Sequence, residues 1–372
     1  MELIRNAHVY TPVDCGMMDV LIAGEKIEAC APHIHIDYDD LKITDAKGKL
    51  LIPGLIDQHV HIIGGGGEDG YSSLIPELNM QDCVMCGVTS VVGLLGTDGI
   101  VKNIPALIAK TKALKEQGMS AWCLTGSYAI PSVTVTGSVG KDIAMIEEVI
   151  GVKLAISDHR SSCVTKEETA RLAAGARTAG LLSKKPGYVH LHTGKGKRGL
   201  KDIMEIIAET DLPITQFRPT HMSNQLEDAV TFAKMGGLID FTAGETCADD
   251  ILSIISEVSS DQITISSDAN GSMPVWDENK NLVGMGIGKM DTLFKTVKEL
   301  HDKGMDFSTA LSMVTKNVAH CIGQDGRKGV IQTGADADLV LLDENMHVDT
   351  VYARGKAVVQ QGKYCGPSYY KK

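Results

Sequence analysis

Residues able to bind a metal or move a proton recur in this chain within, or at the ends of, apolar runs. The segment Asp57-Gln-His59-Val-His61 lies in the first apolar run of the central region. In an extended segment, two-residue spacing turns both imidazoles to one face. Lys153 lies within a later run, His192 and His221 close two more, and Asp268 closes the last. A lone histidine is more often a satisfied core or surface residue. Four of them with an aspartate, all at run ends, form a borderline-soft nitrogen and oxygen donor set suited to zinc.

Lys153 is out of place in Gly151-Val-Lys-Leu-Ala-Ile156, where an unpaired ammonium is costly. Burial beside cations favours the neutral amine. A neutral amine can add carbon dioxide to form a carbamate, whose two oxygens can bridge two metals. The alternative is a lysine paired with a nearby carboxylate. His33 and His35 share the two-residue spacing but have no partners downstream, so they read as a solvated strand. Of His190 and His192, the second lies nearer the end of its run and precedes Thr-Gly, so it is the expected ligand. Cys83 and Cys86 form a single CxxC in an apolar helical stretch. A structural zinc site needs four such ligands, and these two read as buried thiols.

Something must hold those run ends together. Eight apolar runs follow one another: Leu55–Ile63, Val88–Leu95, Ala121–Tyr128, Val152–Ser157, Tyr188–Thr193, Ile214–His221, Leu238–Ala243 and Ile263–Asp268. Helical patterns separate them, clearest where Ile104, Leu107, Ile108, Thr111 and Leu114 share one face. Eight such units predict a parallel (β/α)8 TIM-type barrel over residues 53–327, with its chemistry at the strand ends. The rival, an open doubly wound sheet, lacks a Gly-x-Gly-x-x-Gly after the first run. Residues 1–52 and 328–372 read instead as short β segments, among them Leu3-Ile-Arg, Val20-Leu-Ile, Ile34-His-Ile and Ala337–Leu342. Neither end can close a core alone, so the two are expected to share one small β-sandwich domain.

Composition narrows the function classes. The 372 residues carry a net charge of −11 with no basic stripe, which argues against nucleic acid and anionic membranes as partners. No apolar run approaches the ~18 residues of a membrane span, and the start lacks a signal-peptide pattern. Nine cysteines, an odd count, argue against a disulfide framework and fit a cytoplasmic protein.

With those residues in place, Pro53-Gly-Leu-Ile-Asp-Gln-His59-Val-His61 resembles the metal-binding opening of the amidohydrolase superfamily. Its continuation, Gly64-Gly-Gly-Gly-Glu68, is narrower and resembles the bacterial isoaspartyl dipeptidases, as do Gly126-Ser-Tyr128, Gly151-Val-Lys153 to Arg160-Ser161, Pro219-Thr-His221 and Ser267-Asp268-Ala-Asn-Gly-Ser272. The resemblance spans essentially the whole chain. It implies a homo-oligomeric enzyme with two zinc ions per subunit that cleaves β-aspartyl dipeptides. His59 and His61 would hold one zinc and His192 and His221 the other. Carboxylated Lys153 would bridge them, with Asp268 completing the first site and acting as general base and then acid toward a zinc-bridging hydroxide. Glu68 would hold the substrate ammonium, Tyr128 would serve the oxyanion, Arg160 would pair with a carboxylate, and Thr97 and Ser272 would be further contacts.

One departure stands out: the family pattern has an arginine three positions after the sixth-strand histidine, where this chain has Asn224. That bears on carboxylate binding and on the preferred leaving residue, with Arg218 nearby in sequence. Other readings are an N-acyl-amino-acid deacylase, a cyclic amidase, or a non-catalytic assembly homologue. The presence of all six metal-ligand positions argues against the last.

Overall fold

The structure is a computed structural model, and it describes residues 1–279 and 281–368. Five strands come first: β1 (Glu2–Tyr10), β2 (Asp14–Ala23), β3 (Lys26–Ala31), β4 (Lys42–Asp45) and β5 (Leu50–Pro53). Eight more follow in the centre: β6 (Leu55–Val60), β7 (Val88–Gly93), β8 (Ser120–Gly126), β9 (Val149–Ile156), β10 (Tyr188–Thr193), β11 (Phe217–Thr220), β12 (Ile239–Thr242) and β13 (Ile263–Ser266). A hairpin, β14 (Ser272–Trp276) and β15 (Leu282–Ile287), precedes β16 (Leu339–Leu342), β17 (Val348–Ala353), β18 (Lys356–Gln360) and β19 (Lys363–Tyr364).

Each of the eight central apolar runs overlaps one of the strands β6 to β13, with β9 starting three residues before its run, at Val149. They are apolar along their length because a parallel strand inside a ring of helices is buried on both faces. β6 to β11 form one parallel sheet in sequence order, and β12 pairs parallel with β13. The ring closes between β13 and β6, where Val60 bridges Ala269 in parallel and the His61 amide donates to the Ala269 carbonyl at 2.9 Å. Between β11 and β12 the contact is through side chains, with Thr220 Oγ1 donating to Asp240 at 2.6 Å. The helix Ile104–Gln117 lays Ile104, Leu107, Thr111 and Leu114 on the barrel; Asn103 caps its start and Gly118, at φ 107°, ends it.

The strands of both chain ends meet in one nine-stranded sheet, with β16 antiparallel to β5 and β1 pairing with β2, β4 and β5. It has its own core, including Ile4, Val20, Ile27, Leu51, Leu339 and Tyr352. Ile34-His-Ile is not a strand. Asp19 captures the Ile34 amide at 3.0 Å, and Pro32 supplies no donor, so His33 and His35 sit exposed on an extended loop. Cys83 is buried and Cys86 partly so, both as free thiols. Among the described residues, no helix is long and apolar enough to cross a membrane.

Candidate active site

The mouth of the barrel gathers the charged and imidazole side chains. His59 is on β6 and His61 just beyond it. Nε2 of each faces Asp268 Oδ1, at 3.4 and 3.0 Å, and these three donor atoms lie within 4.8 Å of one another. Asp268, at φ 54°, and His221, at φ 62°, both sit in the left-handed region just past strand ends. Strained backbone of this kind persists where the surroundings over-determine it, often at functional sites. Glycines keep the cluster tight: a Cβ on Gly96 would fall 2.8 Å from His61 Cε1, and one on Gly271 2.5 Å from Asp268 Oδ1.

Lys153 is fully buried on β9, with Nζ 3.3 Å from His59 Nε2. Burial pulls its ammonium down to about 7, against the opposing pull of Asp268 and Asp240. Burial likewise holds His59, His190 and His221 well below the ordinary imidazole range and His192 at about 4, so each of these rings is neutral. Burial opposes the Asp268 charge, but the His61 hydrogen bond and nearby His221 and Lys153 keep its carboxyl below the usual range. Imidazoles converging on a carboxylate, in a cradle that a Cβ would fill, fit a metal ion. His221 lies beside this cluster, 5.0 Å from His59 between ring centroids, and its Nδ1 is 2.6 Å from Thr242 Oγ1. His192 is further engaged: Nδ1 meets Tyr128 Oη at 2.7 Å and Nε2 meets Asp158 at 2.7 Å. The cluster thus contains His59, His61 and Asp268, while His192 and His221 meet edge to face beside it, with ring centroids 4.6 Å apart.

Glu68 ends the glycine run. Gly64 runs at φ 75°, and a Cβ there would strike the Ile75 carbonyl at 1.9 Å, so only glycine lets the loop fold back this closely. One carboxylate oxygen of Glu68 accepts from Ser272 Oγ at 2.7 Å and Thr97 Oγ1 at 3.2 Å and meets Arg160 at 3.3 Å. Its other oxygen, Oε2, is buried with no hydrogen-bond partner among the described residues. Arg160 also grips Asp158 through two nitrogens, at 3.0 and 2.8 Å. Burial raises the Tyr128 hydroxyl far above its ordinary value, so it stays a proton donor. Asn224 donates to the Thr193 carbonyl at 3.1 Å. Arg218 turns away: its guanidinium meets the Thr215 carbonyl and stacks 5.7 Å from the Tyr188 ring, at the start of β10, so it does not replace an arginine at position 224.

A model of the amidohydrolase family matches residues 50–358. The chain belongs to the amidohydrolase family. A solved β-aspartyl dipeptidase from the thermophilic keratin degrader Fervidobacterium islandicum AW-1, in complex with β-Asp-Leu, is 40% identical; the match covers 99% of this chain and 100% of that one, with a TM-score of 0.94. Dihydropyrimidinase of Brevibacillus agri NCHU1002 shares the fold, at 18% identity and a TM-score of 0.68 over 98% of this chain and 96% of its own. Adenine deaminase of Clostridium botulinum (strain 657 / Type Ba4) is 24% identical over 92% of this chain, which spans about half (54%) of the deaminase. The amidohydrolase fold is a TIM-type barrel, the chain is a hydrolase of that family, and its recognisable likeness is to the β-aspartyl dipeptidases.

Several residues of this amidohydrolase site escaped the sequence reading. Asp158 joins Arg160 to His192, and its Asp-x-Arg spacing was the available signal. His190, passed over as a ligand, meets His59 Nδ1 at 3.0 Å through Nε2 and so orients that ring. Beneath them Asp240 accepts from Gln58, Thr220, Thr264 and Ser266, and Asp57 accepts from Ser267. Burial lifts the Asp57 carboxyl to about 7.

Proposed function

We propose that this amidohydrolase is a metal-dependent dipeptidase that hydrolyses the β-aspartyl amide bond, releasing aspartate and an amino acid. The observation that carries this reading is Glu68: a carboxylate anchored through one oxygen, with the other buried and unpartnered beside a three-donor cluster. A buried anion with a free oxygen is built for an incoming cation, and the substrate's α-ammonium supplies one. The relative crystallised with β-Asp-Leu supports the substrate class.

His59, His61, His192, His221, Asp268 and a carboxylated Lys153 would hold two zinc ions. When bound, zinc supplies Lewis-acid polarisation of the scissile carbonyl and makes a water easier to ionise. The chain's own residues do the rest. Glu68 holds the ammonium, with Thr97 and Ser272 fixing its carboxylate. Arg160, now shared between Glu68 and Asp158, turns to the α-carboxylate of the substrate. Asp268 takes the proton of the attacking water on its carboxylate and returns it to the leaving nitrogen. Tyr128, protonated throughout, donates to the developing oxyanion. Asp158 keeps His192 and Arg160 in place.

The domain division belongs to the same proposal, with residues 1–52 and 328–372 as a small β-sandwich beside the barrel at 53–327. So do a cytoplasmic setting and a homo-oligomer. Met273 and Val275, exposed on one face of the β14–β15 hairpin, offer apolar side chains to a second copy. A panel of β-Asp-Leu, N-acetyl-leucine, dihydrouracil and adenine tests the function. Turnover of β-Asp-Leu alone supports the reading. Turnover of acetyl-leucine, dihydrouracil or adenine in its place makes the protein a deacylase, a cyclic amidase or a deaminase.

A further inference from the structure

A cavity of about 1020 Å³ opens beside His192 and Arg160 and runs past Asn224 to the loop after β10. Trp276 lines it as well, and so do Lys195 and Lys197 on the loop. Most charges along this wall are already matched. Asp158 is held by Arg160 and His192, and Asp202 by Arg198. Asp277 accepts from the Asn279 and Asn281 amides and from the Asn281 side chain, neutral donors that leave its one negative charge against the two lysines. Lys195 and Lys197 make no ion pair or hydrogen bond among the described residues.

The loop that carries them is braced. The Gly196 amide donates to the Ser157 carbonyl at 2.6 Å, and Gln225 Nε2 donates to the carbonyls of Gly194 and Gly196 at 3.1 and 3.0 Å. A Cβ on Gly194 or Gly196 would lie 2.5 or 2.4 Å from Ser157 O, so both glycines let the loop press against β9. The lysines flanking Gly196 are therefore mounted on fixed backbone, although their side chains are exposed. In a chain of net charge −11, two unmatched ammonium groups on one cavity wall make a local anion-attracting field.

We propose that Lys195 and Lys197 form a carboxylate subsite for the leaving residue, so that the enzyme prefers β-aspartyl dipeptides whose second residue has an acidic side chain. The inference rests on the dipeptidase reading above and adds the substrate class within it. Asn224 offers only a neutral amide here, and that amide is spent on the Thr193 carbonyl, so the added positive charge of the wall comes from the loop.

The test compares β-Asp-Glu with its uncharged isostere β-Asp-Gln on the zinc-loaded enzyme, unmodified and as Lys195→Met/Lys197→Met. The unmodified enzyme should favour β-Asp-Glu in kcat/KM by about 10-fold at low salt, and the preference should shrink as salt screens it. The double variant, with folding checked by its melting temperature, should bring the ratio close to one. A ratio near one in the unmodified enzyme, or a preference that survives the double substitution, overturns the subsite alone. Failure to cleave either dipeptide overturns the dipeptidase reading and the subsite with it.

Discussion

Ser272 Oγ lies 2.7 Å from Glu68 Oε1, joining residues 204 positions apart and leaving Glu68 Oε2 free and buried. The pair fixes a carboxylate with one oxygen committed and one available. Glu68→Gln keeps the shape and removes the charge. It should lower kcat/KM on β-Asp-Leu by about 100-fold, since an unmatched ammonium in a partly dry pocket costs about 2–4 kcal/mol. Metal content, read by elemental analysis, should stay unchanged. N-acetylation of the substrate should reproduce the loss in the unmodified enzyme, and equal rates on free and acetylated substrate would remove Glu68 from this role.

Lys153 sits where a cation is poorly tolerated, with Nζ 3.3 Å from His59. Lys153→Ala should lose metal and activity together. Added formate or acetate with zinc should restore part of both by standing in for the carbamate oxygens. A metal-replete, active Lys153→Ala protein would contradict the carbamate.

Asp268→Asn should abolish turnover, with kcat falling by at least about 100-fold, because an amide cannot accept the proton. At least one metal should remain, since His59 and His61 still converge. Near-normal turnover would exclude Asp268 as the base.

Lys328 joins the end strands to the barrel. It is 1% exposed, meets Asp336 at 2.8 Å and Ser120 at 2.5 Å, and also contacts Asp338. Lys328→Met leaves two buried carboxylates short of their partner and should destabilise the fold by about 3–5 kcal/mol. Burial opposes the Asp336 charge, but Lys328 first, then Lys26 and Arg327, hold its carboxyl below the usual range. A lowered carboxyl stabilises the fold above its unfolded value and loses that contribution as pH falls through the folded one. The gap between variant and unmodified protein in denaturant melts should therefore be largest near neutral pH and narrow in acid. A gap that stays constant with pH would place the effect in packing alone.

The barrel was readable because buried parallel strands leave continuous apolar runs, and the candidate site residues because polar residues interrupt those runs. His59, His61, Lys153, His192, His221 and Asp268 all reach one mouth. What sequence could not give was pairing across the ring. Asp158 earns its place only once His192, on the next strand, lies 2.7 Å away. Asp240 sits in an apolar run with no local cue, since its four donors come from β6, β11 and β13. His33 and His35 misled because spacing alone does not make a strand. The strand needs a free backbone edge, and Asp19 had taken the Ile34 amide.

On the proposed function, the site recognises an ammonium held beyond the scissile bond by the length of a β-linkage. The most direct measurement is the ratio of kcat/KM for β-Asp-Leu to that for α-Asp-Leu on the zinc-loaded enzyme. The two isomers carry the same groups and differ only in which carboxyl forms the amide. A ratio of about 100 or more is predicted, since the α-isomer leaves Glu68 unmatched. Comparable rates on the two isomers, or faster cleavage of α-Asp-Leu, would contradict it.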